Sequence, residues 1–209
     1  PDFPEQPYLL PSFFSTLVER YFRIYTITEE DEKKTEQYKA NINRNQERKK
    51  FVDMGAYLAS LEIEITISEA NEFNIPRIAQ MTQKTNQFNL TTKRYTDTDI
   101  YGFIDEGWSV YCISVKDKFG DNGITGTVML EPLADGMKID SLLLSCRILG
   151  KGVELAFIRF ILNHLYNRGI TKIYAEYYPT LKNVQVADFY ERLGFEGLGQ
   201  SEDGAKTYI

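Results

Sequence analysis

Beyond residue 60 the chain alternates between two hydrophobic periods, one typical of strands and one typical of helices. Residues 61–67 alternate apolar and polar side chains, which predicts a strand with one buried face. Strand patterns also occur at residues 108–115, 124–130, 138–145, 171–177 and 206–209. Turn residues at 119–123, around Asp121-Asn122-Gly123, and at Asp135-Gly136 separate the second, third and fourth strands, so these three should form an antiparallel meander.

Helical periodicity predicts four helices between these strands. The first begins at Asn74-Ile75-Pro76 and ends near Thr85, with Ile75, Ile78 and Met81 on one face. The others are a short helix from the cap residue Thr96 to Phe103, a long helix over Val153–Asn167 and a last helix over 183–193. The order β, α, α, β, β, β, α, β, α, β predicts an α+β fold, a mixed sheet with helices on both faces.

The N-terminal segment, residues 1–60, has a different pattern. Four prolines between Pro1 and Pro11 keep the start extended, and residues 12–22, ending at Phe22, could form a short helix. Thr28 precedes Glu29, Glu30 and Asp31, as at a helix N-terminus with acidic residues in its first turn. The charged segment from there to about Lys50 is predicted to be a mostly solvated helix, with a helix that binds a specific partner as the alternative. We therefore expect residues 1–60 to be a helical linker and residues 61–209 to be the folded domain.

Composition narrows the class of protein. The 209 residues are 43% hydrophobic and 26% charged, as in globular domains, and the net charge of −6 argues against nucleic acid as the main partner. No apolar stretch is long enough to span a membrane and no signal peptide opens the chain, so we expect a cytoplasmic protein. Two cysteines and a single histidine, His164, are too few for a zinc cluster or a histidine-rich site, so no metal is expected.

The candidate chemistry lies where the strand at 138–145 meets the long helix. Arg147, Ile148, Leu149, Gly150, Lys151 and Gly152 fit the pattern Arg-x-x-Gly-x-Gly. A helix N-terminus carries unpaired N–H groups and a partial positive charge, and glycines let the backbone approach a phosphate. With the charges of Arg147 and Lys151, this segment is a candidate diphosphate site, although a plain strand-to-helix turn can have the same pattern.

Together with the order of elements, this turn and a later stretch resemble the GNAT superfamily of acyltransferases over residues 61–209. The later stretch runs from Asn183 through Asp188-Phe189-Tyr190 to Gly194-Phe195. In that family the turn holds the diphosphate of acetyl-CoA, and the strands before and after it splay apart so that pantetheine pairs with exposed backbone. The resemblance implies coenzyme A or a phosphopantetheine thioester as co-substrate, with Asn183 bonding the pantetheine arm and Tyr190 protonating the leaving thiolate. The alternative for Tyr190 is an aromatic that packs inside the last helix.

Three stretches resemble a narrower group, the FkbH-like proteins. They are residues 85–96 (TNQFNLTTKRYT), 117–123 (DKFGDNG) and 144–150 (LSCRILG). Those proteins join a HAD-type phosphatase-like domain to a C-terminal GNAT-like domain, and they load a glyceryl unit onto an acyl carrier protein for polyketide extender units and related pathways. The resemblance implies that an acyl carrier protein and an N-terminal HAD domain of the same full-length protein are partners. Residues 1–60 would be the linker that follows that domain.

The nucleophile motif of HAD enzymes does not occur in this chain. The Asp-x-Asp at Asp97-Thr98-Asp99 follows polar residues rather than an apolar strand, and the preceding Thr96 is typical of a capped helix start. We therefore expect no magnesium-dependent phosphatase activity from this chain.

Other side chains near the turn are candidates for catalysis or substrate binding. Cys146 could carry an acyl group, because a helix N-terminus favours its thiolate, or it could be an ordinary buried strand residue. Asp140 and Glu176, on the two flanking strands, are candidate general bases. The candidates for an acceptor pocket, which could instead bond the backbone of an irregular loop, are Asn86, Gln87 and Asn89.

Two functions from different classes fit these residues. One is an active acyltransferase that uses CoA or a carrier-bound thioester, and the other is a non-catalytic module that docks a carrier protein's pantetheine arm for the HAD domain. An acidic carrier would need a basic surface, and the segment from Leu143 to Lys182 has six basic and two acidic residues. The basic residues are Arg147, Lys151, Arg159, Arg168, Lys172 and Lys182.

Overall fold

The structure, a computed structural model, describes Pro4, residues 6–17 and residues 29–209, with the side chains of 29–35 excepted. Its helices are α1 (Leu10–Leu17), α2 (Glu29–Arg48), α3 (Met54–Ser60), α4 (Ile75–Lys84), α5 (Asp97–Asp105), α6 (Val153–Asn167) and α7 (Phe189–Arg192). Its strands are β1 (Glu64–Glu69), β2 (Phe88–Asn89), β3 (Ser109–Asp117), β4 (Gly120–Leu133), β5 (Gly136–Leu144), β6 (Ile173–Tyr177), β7 (Gly197–Gln200) and β8 (Lys206–Tyr208). The predicted helix end at Phe22 and the predicted cap Thr28 lie outside the described residues. None of the described helices is long and apolar enough to cross a membrane.

The strands form one mixed sheet in the order β1-β3-β4-β5-β6-β8-β7, with β2 paired to β5 off this path. β3, β4 and β5 are an antiparallel meander, and β6 joins β5 in parallel. Alternate residues of a strand point to opposite faces, so β3 contributes to two cores. Val110 and Cys112 pack with α4 and α5, whereas Tyr111 and Ile113 pack with α6. This arrangement confirms the predicted α+β fold with helices on both faces.

Helices α4, α5 and α6 form where the sequence predicts them. In α4 the predicted residues Ile75, Ile78 and Met81 are buried, and Pro76 occupies the first turn, where its missing N–H costs nothing. Thr96 and Asp99 make a reciprocal capping box at the start of α5. The Asp-x-Asp of this chain is therefore a helix start, as the polar residues before it predict.

Helix α2 is more closely tied to the sheet than a solvated helix would be. Ala40 and Arg44, four residues apart and so on one face of the helix, are 7% and 6% exposed. The Arg44 guanidinium makes two bonds to Asp117 at the end of β3, with Nε 2.7 Å from Oδ2 and Nη2 2.8 Å from Oδ1. The mostly solvated interpretation of this segment misses that contact, which joins α2 to the sheet.

Two strand predictions need correction. The first strand begins at Glu64, and Ile65 is 37% exposed. Among the described strands, β1 lies at the edge of the sheet and pairs with β3 alone. The connection between β3 and β4 is at Lys118-Phe119, between the paired residues Asp117 and Gly120. The predicted turn Asp121-Asn122-Gly123 lies inside β4, where the pairing with β3 shifts register.

The predicted last helix over 183–193 is interrupted. It consists of a single 3-10 turn at Val184–Val186 and the four-residue helix α7, with the backbone of Asp188 outside helical geometry at φ −108° and ψ 13°. Strands β2 and β7 carry no periodic signal: β2 has two residues, and β7 is glycine-rich and exposed throughout. The predicted element order therefore lacks both.

Candidate functional site

The predicted phosphate turn joins β5 to α6. Its first residues form a 3-10 turn at Cys146–Ile148, Ile148 is fully buried, and Leu149 packs against the same core. Gly150 and Gly152 have φ of +74° and +75°, a left-handed geometry that is costly for other residues. A Cβ at either glycine would meet no heavy atom of the described chain within 4 Å, apart from its chain neighbours. The N-terminus of α6 is thus approachable by an anion.

The two charged side chains of the turn have different environments. The Arg147 guanidinium bonds the neutral side chains of Ser145 (3.2 Å) and Gln37 of α2 (2.5 Å). Lys151, by contrast, is only 12% exposed at its side chain, and its Nζ is 3.7 Å from Asp117 Oδ2. Burial of its ammonium group lowers the pKa of Lys151, and the positive charge of the nearby Arg44 lowers it further. Lys151 therefore shares the single carboxylate of Asp117 with Arg44, and its contribution to a phosphate site stays a prediction.

The slot between β5 and β6 is filled by the chain itself. The two strands pair only from Met137↔Ile173 to Ile139↔Ala175, and beyond that point they diverge. The segment Phe88–Leu90, which we call the plug, occupies the gap. Phe88 and Asn89 pair with β5, and the Leu90 N–H donates to Leu142 O at 3.2 Å. On the opposite side the Tyr178 N–H donates to Leu90 O at 2.8 Å. The exposed backbone expected for pantetheine is thus already paired.

Asn89 and Asn183, two of the predicted binding residues, hold this plug in place. Both are fully buried. The Asn183 amide donates to Asn89 O and to Tyr178 O, each at 2.9 Å, and its Oδ1 accepts from the Thr180 N–H at 2.7 Å. The Asn89 amide bonds Thr85 O and the Thr92 N–H. Because both donors of Asn183 are used, its predicted bond to pantetheine is not available in this structure.

A cavity of about 730 Å³ opens above the plug. It lies between α4, the loop at 85–87, the end of β5 and the segment after β6, and we call it the mouth cavity. Five of the site or docking residues predicted from the sequence line it: Asn86, Gln87, Cys146, Arg147 and Lys182. Cys146 is exposed and lies beyond the end of β5, so it is not the buried strand residue of the alternative interpretation. The structure thus brings the acceptor-pocket candidates, the thiol and Arg147 to one opening.

The two candidate bases differ in accessibility. Asp140 is 2% exposed and fully bonded: Lys93 Nζ lies 2.5 Å from Oδ1, and Tyr95 and Ser141 donate to Oδ2 at 2.9 and 3.0 Å. Glu176 is more open and has Lys93 at 3.8 Å, and it lines a separate pocket of about 450 Å³. Asp140 is therefore a structural partner of Lys93 here, and Glu176 is the better placed of the two to accept a proton.

Tyr190 is 1% exposed and packs against the rings of Phe189, Phe195 and Tyr208. Its hydroxyl is buried and has no hydrogen-bond partner among the described residues. Burial raises the pKa of Tyr190, and the neighbouring Tyr208 and the charges of Glu176 and Asp140 raise it further. The group is therefore held protonated and can donate a hydrogen bond that the fold does not use.

Five of the six basic residues predicted as a carrier-docking surface have different surroundings in the structure. Arg147 and Lys182 line the mouth cavity, whereas Arg168 lines another pocket beside β1 and β3. Lys151 faces Asp117, and Lys172 pairs with Asp135 at 3.0 Å. A docking surface built on this segment would rest on the first two residues.

Sequence reasoning missed residues whose role depends on long-range pairing. Lys93 and Asp117 belong to the FkbH-like stretches, but the sequence does not show which charges they face in the fold. Arg77 and Lys84, which line the mouth cavity, lie on the polar side of α4, and a count of basic residues on that side would have found them. Within residues 6–17 and 36–209, whose side chains the structure describes, no group of three His, Cys, Asp or Glu residues could hold a metal ion.

No protein-family model matches the chain, and no curated protein matches it in sequence. Solved structures match its fold. It is similar to the ribosomal-protein-S18-alanine N-acetyltransferase of Escherichia coli, with 15% identity, a TM-score of 0.53 and coverage of 69% of this chain and 92% of that one. A GNAT-family acetyltransferase described as putative, from Desulfovibrio desulfuricans, is 13% identical, with a TM-score of 0.54 and coverage of 69% of this chain and 97% of that one. N-acetylglutamate synthase from Neisseria gonorrhoeae, complexed with coenzyme A and N-acetyl-glutamate, is 16% identical, with a TM-score of 0.51 and coverage of 69% of this chain and 34% of that one.

Proposed function

We propose that this chain, whose fold is that of the GNAT acetyltransferases, binds a CoA or carrier-bound phosphopantetheine thioester at the Arg147–Gly152 turn and transfers its acyl group. The observation that carries this proposal is the open turn at the N-terminus of α6. Two glycines in left-handed geometry leave the backbone uncovered, and the fifteen-residue helix has no side-chain cap. Uncapped N–H groups and the helix dipole favour a phosphate at that position.

The side chains near the divergence of β5 and β6 fit acyl transfer. Tyr190 would donate its proton to the leaving sulfur as the C–S bond breaks, and its raised pKa keeps that proton in place beforehand. Glu176 would accept the proton of the attacking acceptor as the new bond to the acyl carbon forms. A ligand that follows the β5 edge has to displace Phe88, whose ring packs 5.0 Å from that of Phe189, the neighbour of Tyr190.

The FkbH-like stretches support a carrier protein as the partner and a glyceryl-type unit as the acyl group. Although distant in sequence, they meet around the site. Residues 85–87 line the mouth cavity and residues 88–90 form the plug. Residues 144–150 form the end of β5 and the start of the turn, and Asp117 contacts both α2 and Lys151. In this proposal the chain works beside an N-terminal HAD domain of the same protein.

The turn can be tested with glycine substitutions that have a matched control. Gly152→Ala and Gly107→Ala both place a methyl group on left-handed backbone with no atom nearby, at φ +75° and +89°. Both should lose about 1–2 kcal/mol of stability from that strain. Only Gly152→Ala should weaken CoA binding, measured by calorimetry, by about tenfold or more. Equal CoA affinity in wild type and Gly152→Ala would remove the turn from the proposed function.

The plug favours a second function, a non-catalytic module that docks the pantetheine arm of a carrier protein. Phe88–Leu90 is hydrogen-bonded on both sides, so a ligand can reach the β5 edge only if those bonds break. Such a module would bind the phosphate of the arm at the turn without admitting the thioester between β5 and β6, so the plug would stay in place.

Hydrogen exchange separates the two functions. If the chain is an acyltransferase, the amides of Leu90 and Tyr178, which donate to Leu142 O and Leu90 O, should lose protection when a CoA thioester binds. If it is a docking module, both amides should stay protected while those of the turn change. Acyl transfer to any amine or thiol acceptor, with the plug still protected, would contradict the need to open it.

A further inference from the structure

The mouth cavity has an unusual charge for this protein. Four of the residues that line it are basic, Arg77, Lys84, Arg147 and Lys182, and none of the described lining residues is Asp or Glu. The chain as a whole has 30 acidic and 24 basic residues. An uncompensated group of four cations around this one cavity is therefore not a property of the average surface.

These cations have no carboxylate partner among the described residues. Arg77 bonds the neutral Gln80 side chain, and Arg147 bonds Ser145 and Gln37. Within the part of the chain that the structure describes, no ion pair involves Lys84 or Lys182. Elsewhere the fold pairs its lysines with carboxylates, as for Lys93, Lys116, Lys118 and Lys138.

Two of the arginines also repel each other. Burial of its guanidinium group lowers the pKa of Arg77, and the positive charge of Arg147 lowers it further. Like charges that line one opening repel each other unless an anion neutralises them. Guanidinium groups match the oxygens of phosphate, and lysines add point charges.

We propose that the mouth cavity binds a phosphate ester carried by the acyl group or by its acceptor, held by Arg77 and Lys84 of α4 together with Lys182. The inference rests on the proposed function, since it names the class of molecule that meets the thioester there. The amide groups of Asn86 and Gln87, on the same wall, suit the hydroxyl or carbonyl oxygens of a small polar molecule. The phosphates of CoA itself are the other source of the same chemistry.

The test uses methyl phosphate and inorganic phosphate as probes, titrated by NMR into the wild type and two double variants. R77Q/K84Q removes two cations of the cavity. The matched control, R159Q/K49Q, removes one exposed arginine and one exposed lysine that are not among the cavity-lining residues. We expect R77Q/K84Q to weaken both probes by about tenfold or more, the control to leave them unchanged, and added salt to weaken wild-type binding. Equal affinity in the two double variants, or no saturable binding to the wild type, would overturn the proposal.

CoA binding separates this inference from the proposed function. R77Q/K84Q should keep its affinity for CoA, and Gly152→Ala should keep its affinity for methyl phosphate. If CoA displaces methyl phosphate and R77Q/K84Q loses both ligands, the cations hold the phosphates of CoA, and the inference of a separate site fails while the proposed function stands. If Gly152→Ala binds CoA normally and R77Q/K84Q loses only methyl phosphate, the proposed function fails and the cavity site stands.

Discussion

The buried contact between Arg44, Asp117 and Lys151 predicts that α2 is required for the stability of the folded domain. Asp117 is fully buried at its side chain, Arg44 is 7% exposed and Lys151 is 12% exposed. Asp117 also accepts the Phe119 N–H at 3.0 Å, which fixes the connection between β3 and β4. One carboxylate thus joins α2, the meander and the phosphate turn.

The structure ranks the substitutions in this cluster. Removing one partner of a buried ion pair costs about 3–5 kcal/mol, because the other charge stays buried without compensation. Arg44→Ala should fall at the lower end of that range, since Lys151 still faces Asp117 at 3.7 Å. Asp117→Ala should fall at the upper end, since it leaves two cations facing each other and also removes the bond to Phe119. Lys50→Ala, just beyond the end of the same helix, breaks only an exposed pair with Glu47 and should cost less than about 1 kcal/mol.

Urea denaturation followed by circular dichroism measures these differences through the midpoint and the slope of a single transition. The expected order of stability is Lys50→Ala, then Arg44→Ala, then Asp117→Ala. The double variant of Arg44 and Asp117 should lose less than the sum of the single losses, because the two side chains interact directly. If Arg44→Ala were as stable as Lys50→Ala, α2 would not depend on the Arg44–Asp117 pair, and the contact would be without energetic consequence.

Three further predictions concern single residues. Burial alone would raise the pKa of Asp117, but hydrogen bonds from Arg44 and from the Phe119 N–H hold it below its ordinary 3.8. The stability advantage of wild type over Asp117→Asn should therefore be complete above about pH 5 and shrink as the pH falls further. An advantage that grew in acid would contradict this. Tyr190→Phe should leave the stability within about 1 kcal/mol of wild type, because the hydroxyl has no partner among the described residues. The same substitution should slow acyl transfer by about 10²–10⁴-fold. Unchanged transfer would reduce Tyr190 to a packing residue. Gly136→Ala should cost about 1–3 kcal/mol, because its Cβ would lie 2.4 Å from Lys172 O, whereas the open Gly197→Ala should be tolerated in the same denaturation experiment.

The sequence predicts the elements whose side chains are periodic over a long stretch. Helix α6 begins at Val153 and ends at Asn167 as predicted, because a buried stripe and a left-handed Gly169 fix its face and its end. The meander of β3, β4 and β5 is predicted by three successive strand patterns with turn residues between them.

The sequence does not predict features that depend on pairing between distant residues. Asp121-Asn122-Gly123 has the composition of a hairpin turn, yet the strand continues through it because Asp117 bonds Arg44 and Phe119 and fixes the connection two residues earlier. The plug has two strand residues, and its position depends on Asn183, which lies far along the chain.

For the site, the backbone was easier to predict than the side chains. The Arg-x-x-Gly-x-Gly pattern gives the open turn, because only glycine adopts that left-handed geometry readily. Whether Lys151, Asp140 or Asn183 is free to bind a ligand depends on which neighbours use their hydrogen bonds. Those neighbours, Asp117, Lys93 and Asn89, come from other parts of the chain.

The most direct test of the central claim is an NMR titration of the nitrogen-15-labelled chain with CoA. The account predicts saturable shifts of the backbone amides of residues 150–153, since their N–H groups surround the proposed phosphate position at the start of α6. The amides of β1, at the far edge of the sheet, should not move. Saturation that leaves the amides of the turn unchanged, or no binding of CoA at all, would contradict the claim that this turn is a phosphate site.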